Sequence, residues 1–190
     1  MARKLKLDLH THVWEATGMA AATPEIVEQV LRQIKARGLD GIAITDHHNR
    51  DYGFAFKAIV EEYFRGQAII LPGWEIERRP AQSYFDEYQV LEIFLDNGNV
   101  FRSYCHPGYP SRAIFIEDGI RAIEVENAIH TWHIERAKVE AVAREHDLLM
   151  LRVSDAHRIQ DIGAAYTELD LDELYRRSVP LDEPPAAQGP

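Results

Sequence analysis

A single cysteine, Cys105, leaves the chain without an internal disulfide. Its stability must come from a packed core, and a reducing cytoplasm is the expected setting. There is no N-terminal apolar leader and no run of about 18 apolar residues, so neither secretion nor membrane insertion is expected. Basic residues are in the minority: 21 Lys and Arg stand against 31 Asp and Glu, a net charge of −10. That balance argues against an extended nucleic-acid surface, which needs a basic stripe. It permits a small anionic substrate if bound cations reverse the local field. Linkers, low-complexity tracts and composition breaks are missing too, which implies one domain over residues 1–179 and a Pro- and Ala-rich tail over 180–190. At 190 residues the chain is short for a full eight-stranded β/α barrel, typically about 250 residues.

What is present is a repeated coincidence. Six apolar, strand-like runs each lead into side chains able to bind metal. Residues 5–9 lead into His10 and His12, and 41–45 into Asp46, His47 and His48. Residues 68–72 lead into Glu75, and 100–105 into His106. Residues 122–125 lead into Glu126 and, further on, His130 and His133; 148–153 lead into Asp155 and His157. A single His-x-His is weak evidence, because two surface histidines at a strand end look the same. On a strand, however, side chains at i and i+2 point the same way, so His10 and His12 can reach one ion. Six such ends at one phase of a β/α repeat describe a barrel delivering imidazoles and carboxylates to the C-terminal mouth of its strands. Imidazole and carboxylate donors without thiolates suit Zn, Mn, Fe or Mg.

Between these runs the sequence predicts helices. Thr23 is placed to cap a helix that Pro24 begins, with Ile26, Val27, Val30, Leu31 and Ile34 on one stripe and Gly38 at its end. Further helices are expected within 52–64, over 86–96 ending at Asn97-Gly98, over 132–146, and from Asp170 or Asp172 to Arg177. A seventh strand is expected over 165–169.

The motifs Asp8-Leu9-His10-Thr11-His12, Gly41-Ile42-Ala43-Ile44-Thr45-Asp46-His47, Leu71-Pro72-Gly73-Trp74-Glu75, Cys105-His106-Pro107-Gly108, Ile123-Glu124-Val125-Glu126-Asn127 and Ser154-Asp155-Ala156-His157 stand in one order along the chain. In that order they resemble the PHP family, the polymerase and histidinol phosphatase domain, here as a small stand-alone member. The resemblance implies a distorted (β/α)7 TIM-like barrel with its metal site at the C-terminal strand ends. It also implies two or three divalent metals and phosphoester hydrolysis. By the same resemblance His10, His12, Glu75 and Asp155 hold a first metal, and Glu75 bridges to a second, served by His106. His47 and His157 resemble ligands of a third. Two departures stand out. Thr17 occupies the place of the carboxylate that completes the third site, with Glu15 nearby. The family often carries a further histidine about ten residues past the bridging glutamate; none occurs between Ile76 and Val100, so that ligand role passes to His130 or His133, with His130 preferred. The sequence therefore supports two metals better than three.

Strand alternation sends Glu124 and Glu126 to one side, where one could face the site and the other pair with Arg121 or Arg136. Trp14, Trp74 and Trp132 fall near strand ends, either in the core or walling a pocket. Arg78, Arg79, Arg102, Arg112 and Arg158 flank strand ends as well, and Arg158 is the candidate for gripping a phosphate. The expected activity is hydrolysis of a small phosphorylated substrate by metal-activated water, with His47, His157 and Arg158 as catalytic groups. Two alternatives remain at this stage. One is an amidohydrolase-like C–N hydrolase, against which no lysine follows the third or fourth strand-like run. The other is a metal-binding domain without catalysis.

Overall fold

The computed structural model describes residues 3–181. Nine strands and five α-helices follow in order. They are β1 (Leu5–Asp8), α1 (Val13–Ala16), α2 (Pro24–Ala36), β2 (Gly41–Ile44), α3 (Tyr52–Tyr63), β3 (Ile69–Arg78) and β4 (Tyr88–Phe94). Then come β5 (Asn99–Tyr104), β6 (Ala122–Asn127), α4 (Arg136–Glu145), β7 (Leu149–Val153), β8 (Thr167–Leu169), α5 (Leu171–Arg177) and β9 (Val179–Pro180). Eight strands form one barrel-shaped sheet in the order β7-β6-β5-β4-β3-β2-β1-β8, and β9 pairs with the start of β5. The end strands approach without a backbone ladder. The Thr167 hydroxyl spans the seam, accepting from Arg152 N–H (2.8 Å) and donating to Arg152 C=O (2.9 Å).

The pleat decides which residues fill this barrel. Leu7 and Leu9, Ala43, Leu71, Ile93, Phe101, Ala122, Leu151, Val153 and Leu169 form its interior, drawn from all eight strands or their edges. The opposite face of the sheet meets the helices. The stripe Val27, Val30, Leu31 and Ile34 of α2 packs on Ile42 and Ile44 together with Phe56 and Val60 of α3. On the other flank Val139 and Ala143 of α4 pack on Ile123, Val125, Val90 and Tyr104. Gly41 has no room for a side chain, since a Cβ would lie 2.2 Å from the Ile69 carbonyl oxygen across the β2–β3 ladder. The expected capping of α2 is present: Thr23 Oγ1 accepts from Ile26 N–H and Pro24 takes the first turn. For α5 the cap is Asp170, which accepts from Asp172 N–H.

Three expectations of the sequence change. The helix predicted over 86–96 is strand β4, antiparallel to both β3 and β5. Its even positions Tyr88 and Val90 pack outward and Ile93 packs inward, an alternation suited to a strand buried on both faces. Asn97-Gly98 is consequently a hairpin turn rather than a helix end, with Gly98 at φ +82°. Second, β3 does not stop before Glu75; pairing with β4 carries it on to Arg78. Third, α4 starts at Arg136, and residues 128–133 are turns, so His133 lies outside the helix. Of the expected tail, Pro180 pairs with Asn99, and residues 182–190 lie outside the described residues. No helix among the described residues is long and apolar enough to cross a membrane.

Candidate metal centre

Three chain segments bring four donor residues to one point at the barrel mouth. His10 and His12 follow β1, Glu75 projects from within β3, and Asp155 follows β7. All four are buried. His10 Nε2 lies 3.0 Å from His12 Nε2, 3.1 Å from Glu75 Oε2 and 3.3 Å from Asp155 Oδ1. His12 Nε2 lies 3.0 Å from Asp155 Oδ1 and 3.3 Å from Glu75 Oε2. Bonds of about 2.0–2.1 Å to one ion place its donors about 3.0–3.3 Å apart, the lower value for octahedral and the upper for tetrahedral coordination. The set therefore fits a divalent metal. The Nε2 atoms of His10 and His12 also face each other too closely for both to carry a proton comfortably.

The two carboxylates reach beyond this group. Glu75 turns its other oxygen, Oε1, to His106 Nε2 at 3.2 Å. Asp155 turns Oδ2 toward His130 Nε2 at 3.7 Å. His106, His130 and Asp155 thus form a second donor group beside the first, joined to it through Glu75 and Asp155. A third group consists of His12, His47 and His157. The His12 ring stacks against both His47 (4.5 Å) and His157 (4.1 Å), which are themselves 6.2 Å apart. Glu15 enters here, with Oε2 3.5 Å from His157 Nε2. Thr17 does not: its hydroxyl donates to Val13 and Trp14 carbonyls at the end of α1.

Charges in the centre are strongly coupled. Burial works against the charged form of Glu75, yet His10, His106 and His12 around it hold its carboxyl well below the usual range. Burial likewise disfavours a charged His12, but hydrogen bonds to Asp155 and Glu75 prevail and push it up to about 9. His10 is raised well above its ordinary value against the same burial, by Asp155, Glu75 and Glu124. His47 and His130 go the other way, lowered chiefly by burial. The carboxylates thus favour the charged form at His10 and His12, while burial favours the neutral form at His47 and His130.

A surrounding layer orients the donors. His10 Nδ1–H donates to Glu124 Oε1 (2.8 Å), which aims Nε2 into the centre. His106 Nδ1–H donates to the Tyr109 carbonyl (3.2 Å) and His157 Nδ1–H to the Asp155 carbonyl (2.9 Å). Trp74 Nε1–H donates to the His47 carbonyl (2.7 Å) and steadies that loop. Asp8, fully buried, accepts from Ser154 N–H and Gly163 N–H, clamping both ends of the segment that carries Asp155 and His157. His106 and Asp155 both adopt positive φ, +22° and +55°, a strain typical of functional positions.

Of the expected site residues, the fold gathers His10, His12, His47, Glu75, His106, His130, Asp155 and His157 around one mouth. It does not bring Arg158 there. That side chain is exposed and does not line the cavity. His48 is exposed beside His47, and the His133 ring packs at a tilt against Tyr109 and Trp132 outside the donor groups. Of the two glutamates, Glu124 is the one buried at the centre and Glu126 pairs with Arg136, as the sequence allowed, and with Arg152; the two lie on opposite sides rather than one, because the β6–β7 register shifts between them. Asn127 was missed altogether, although it stands in the same motif. The cavity beside the donors measures about 290 Å³ and continues past Glu77, Glu87, Gln89 and Tyr109; among the described residues no Arg or Lys lines it. Arg78 and Arg102 pair with Glu92, and Arg79 pairs with Glu87.

Residues 133–176 match the family described as PHP-associated. Two solved structures share the fold. PsfC from Pseudomonas syringae PB-5123 superposes with a TM-score of 0.63 at 18% identity, covering 90% of this chain and 83% of its own. A provisionally assigned metal-dependent phosphoesterase from Bifidobacterium adolescentis ATCC 15703 superposes with a TM-score of 0.62 at 14% identity, covering 92% and 97%. No curated protein sequence matches the chain.

Proposed function

We propose that this chain is a PHP-type, divalent-metal-dependent phosphoesterase acting on a small phosphorylated substrate, a reading supported by the matched segment and the shared fold. One observation carries the reading: Glu75 shares its two oxygens between two neighbouring donor groups, 3.1 Å from His10 on one side and 3.2 Å from His106 on the other. A carboxylate placed in this way suits a two-metal hydrolytic centre. In this reading His10, His12, Glu75 and Asp155 hold one ion. His106 and His130, with Glu75 and Asp155, hold the second. Mn, Zn, Fe and Mg all fit the donor set. When bound, such ions acidify a water molecule and neutralise charge on the phosphoryl oxygens.

The chain's own groups do the rest. Glu75 and Asp155, buried and crowded by imidazoles, remain anionic and keep the donors together. His47 and His157 are partly exposed, with side chains 28% and 39% accessible, and line the cavity beyond the first donor group. Either can give a proton to the departing oxygen. For His157 the free atom is Nε2, since its Nδ1–H is engaged by the Asp155 carbonyl, and it gives a proton there only when both ring nitrogens carry one. Arg158 has no part in this reading. With no Arg or Lys on the cavity wall, the substrate phosphate is gripped by the metals and these histidines. Residues 1–179 act as one domain. The lone, buried Cys105 is compatible with a cytoplasmic setting.

The test is elemental analysis of untagged protein purified without chelator, with hydrolysis of p-nitrophenyl phosphate and its bis ester under Mn and under Zn on the same sample. Two or more ions per chain and turnover abolished by chelation support the proposal. Fewer than one ion per chain without turnover overturns it in favour of a non-catalytic domain.

A further inference from the structure

Glu124 and Asn127 touch both halves of the centre. Glu124 is wholly buried, and both of its oxygens are engaged. Oε1 accepts from His10 Nδ1–H, in the first donor group. Oε2 accepts from the backbone N–H of His106 (2.7 Å), in the second. Oε2 also accepts from Asn127 Nδ2–H (2.9 Å), and the same amide nitrogen donates to Asp155 Oδ2 (3.1 Å). The Asn127 carbonyl oxygen accepts from the N–H groups of Ile129 and His130 (3.0 and 2.9 Å), which fixes the turn carrying His130. These two side chains thus hold His10, His106, Asp155 and the His130 turn in one hydrogen-bonded unit.

We propose that Glu124 and Asn127 are positioning residues that couple the two donor groups, so that the two metal positions fill together rather than independently. The inference rests on the metal-centre reading above. A carboxylate supplies acceptors only, and here three donors converge on it. Aligning His10 Nε2 on an incoming ion tightens the His10–Glu124 bond. That holds Glu124 in the position that fixes the His106 backbone, at φ +22°, and through Asn127 the second oxygen of Asp155. Ordering one group therefore lowers the cost of ordering the other, and such a benefit is reciprocal. Glu124 pairs in regular register with Leu151, ahead of the irregularity in β6, and from there reaches both groups.

Metal-free protein is titrated with Co(II), following visible absorption and equilibrium dialysis, for wild type, Glu124→Gln, Asn127→Ala and Thr167→Val. Thr167 lies at the barrel seam, and its variant controls for simple loss of stability. Wild type and Thr167→Val are expected to take up two ions in one cooperative step. Glutamine offers a single acceptor oxygen, so Glu124→Gln cannot satisfy both His10 and His106. Its uptake should split into two steps and weaken about 10-fold or more at both positions. Asn127→Ala should shift in the same direction, and it keeps the test open if Glu124→Gln does not fold. The coupling is overturned if folded Glu124→Gln or Asn127→Ala binds two ions as wild type does, or loses affinity at one position with the other untouched. A wild type that takes up two ions and hydrolyses phosphoesters in either case leaves the phosphoesterase reading standing. A wild type that takes up a single ion, or two ions in separate steps, removes the coupling alone, whereas fewer than one ion per chain without turnover removes both.

Discussion

Glu75 is the residue on which the centre turns. Substituting glutamine keeps its size but removes the charge and one acceptor, and both donor groups depend on it. Glu75→Gln is expected to lose bound metal and to cut phosphoester turnover by more than about 100-fold, beyond the ~10–100-fold typical of outer partners. Activity at the wild-type level would remove Glu75 from the bridging role. His12 gives a pH signature. Its folded pKa, about 9, lies above the ordinary 6.5, so metal must displace a proton at neutral pH. Affinity should rise with pH up to about 9 and level off. Calorimetry in buffers of different ionisation enthalpy reads the released proton. The same shift has a stability consequence. A pKa raised on folding stabilises the metal-free protein fully below pH 6.5, and that contribution is lost as pH rises through about 9. Melting of metal-free protein between pH 6 and 10 should show the decline, and metal-loaded protein should not follow it.

At the scale of elements, the barrel depends on how its ends meet. β7 and β8 are joined by the Thr167 hydroxyl in place of a ladder, so Thr167→Val leaves the Arg152 N–H and C=O without that partner. The expected cost is about 1–3 kcal/mol, read as a fall in melting temperature of several degrees, with the same number of metals bound per folded chain. An unchanged melting temperature would mean that the seam contributes nothing. This scale is also where the sequence was read unevenly. α2 was legible from its cap, its proline and its stripe, all local signals. β4 was not. Its run Tyr88–Phe94 is apolar on both faces, and such a run has no helical or strand period of its own. The Asn97-Gly98 turn that follows was the available sign of a hairpin. The irregularity in β6 was equally invisible, because register is settled between strands.

The whole molecule closes a shallow, acidic mouth over clustered imidazoles and carboxylates. Metal removal should therefore act on the fold as well as on turnover. With free metal at about 100 times its dissociation constant, binding contributes about 2.7 kcal/mol per site. Chelation should lower the melting temperature by about 5–10 °C per site, since each kcal/mol is worth about 2–4 °C at this size. A melting temperature indifferent to chelator would contradict a metal centre joined to the barrel core.

Much of the donor set could be read in one dimension. A parallel strand leaves its last side chains at the same end as its neighbours, so His10, His12, His106, Asp155 and His157 announce themselves by phase alone. Folding decided the matters of orientation. It turned one oxygen of Glu75 to each donor group, brought Glu15 rather than Thr17 to His157, left Arg158 outside the cavity and turned Glu124 inward to His10 and His106. The physical reason is that spacing along a chain sets which residues share a face. Which atom of a side chain meets which partner depends on distances between strands, and those exist only once the barrel has closed.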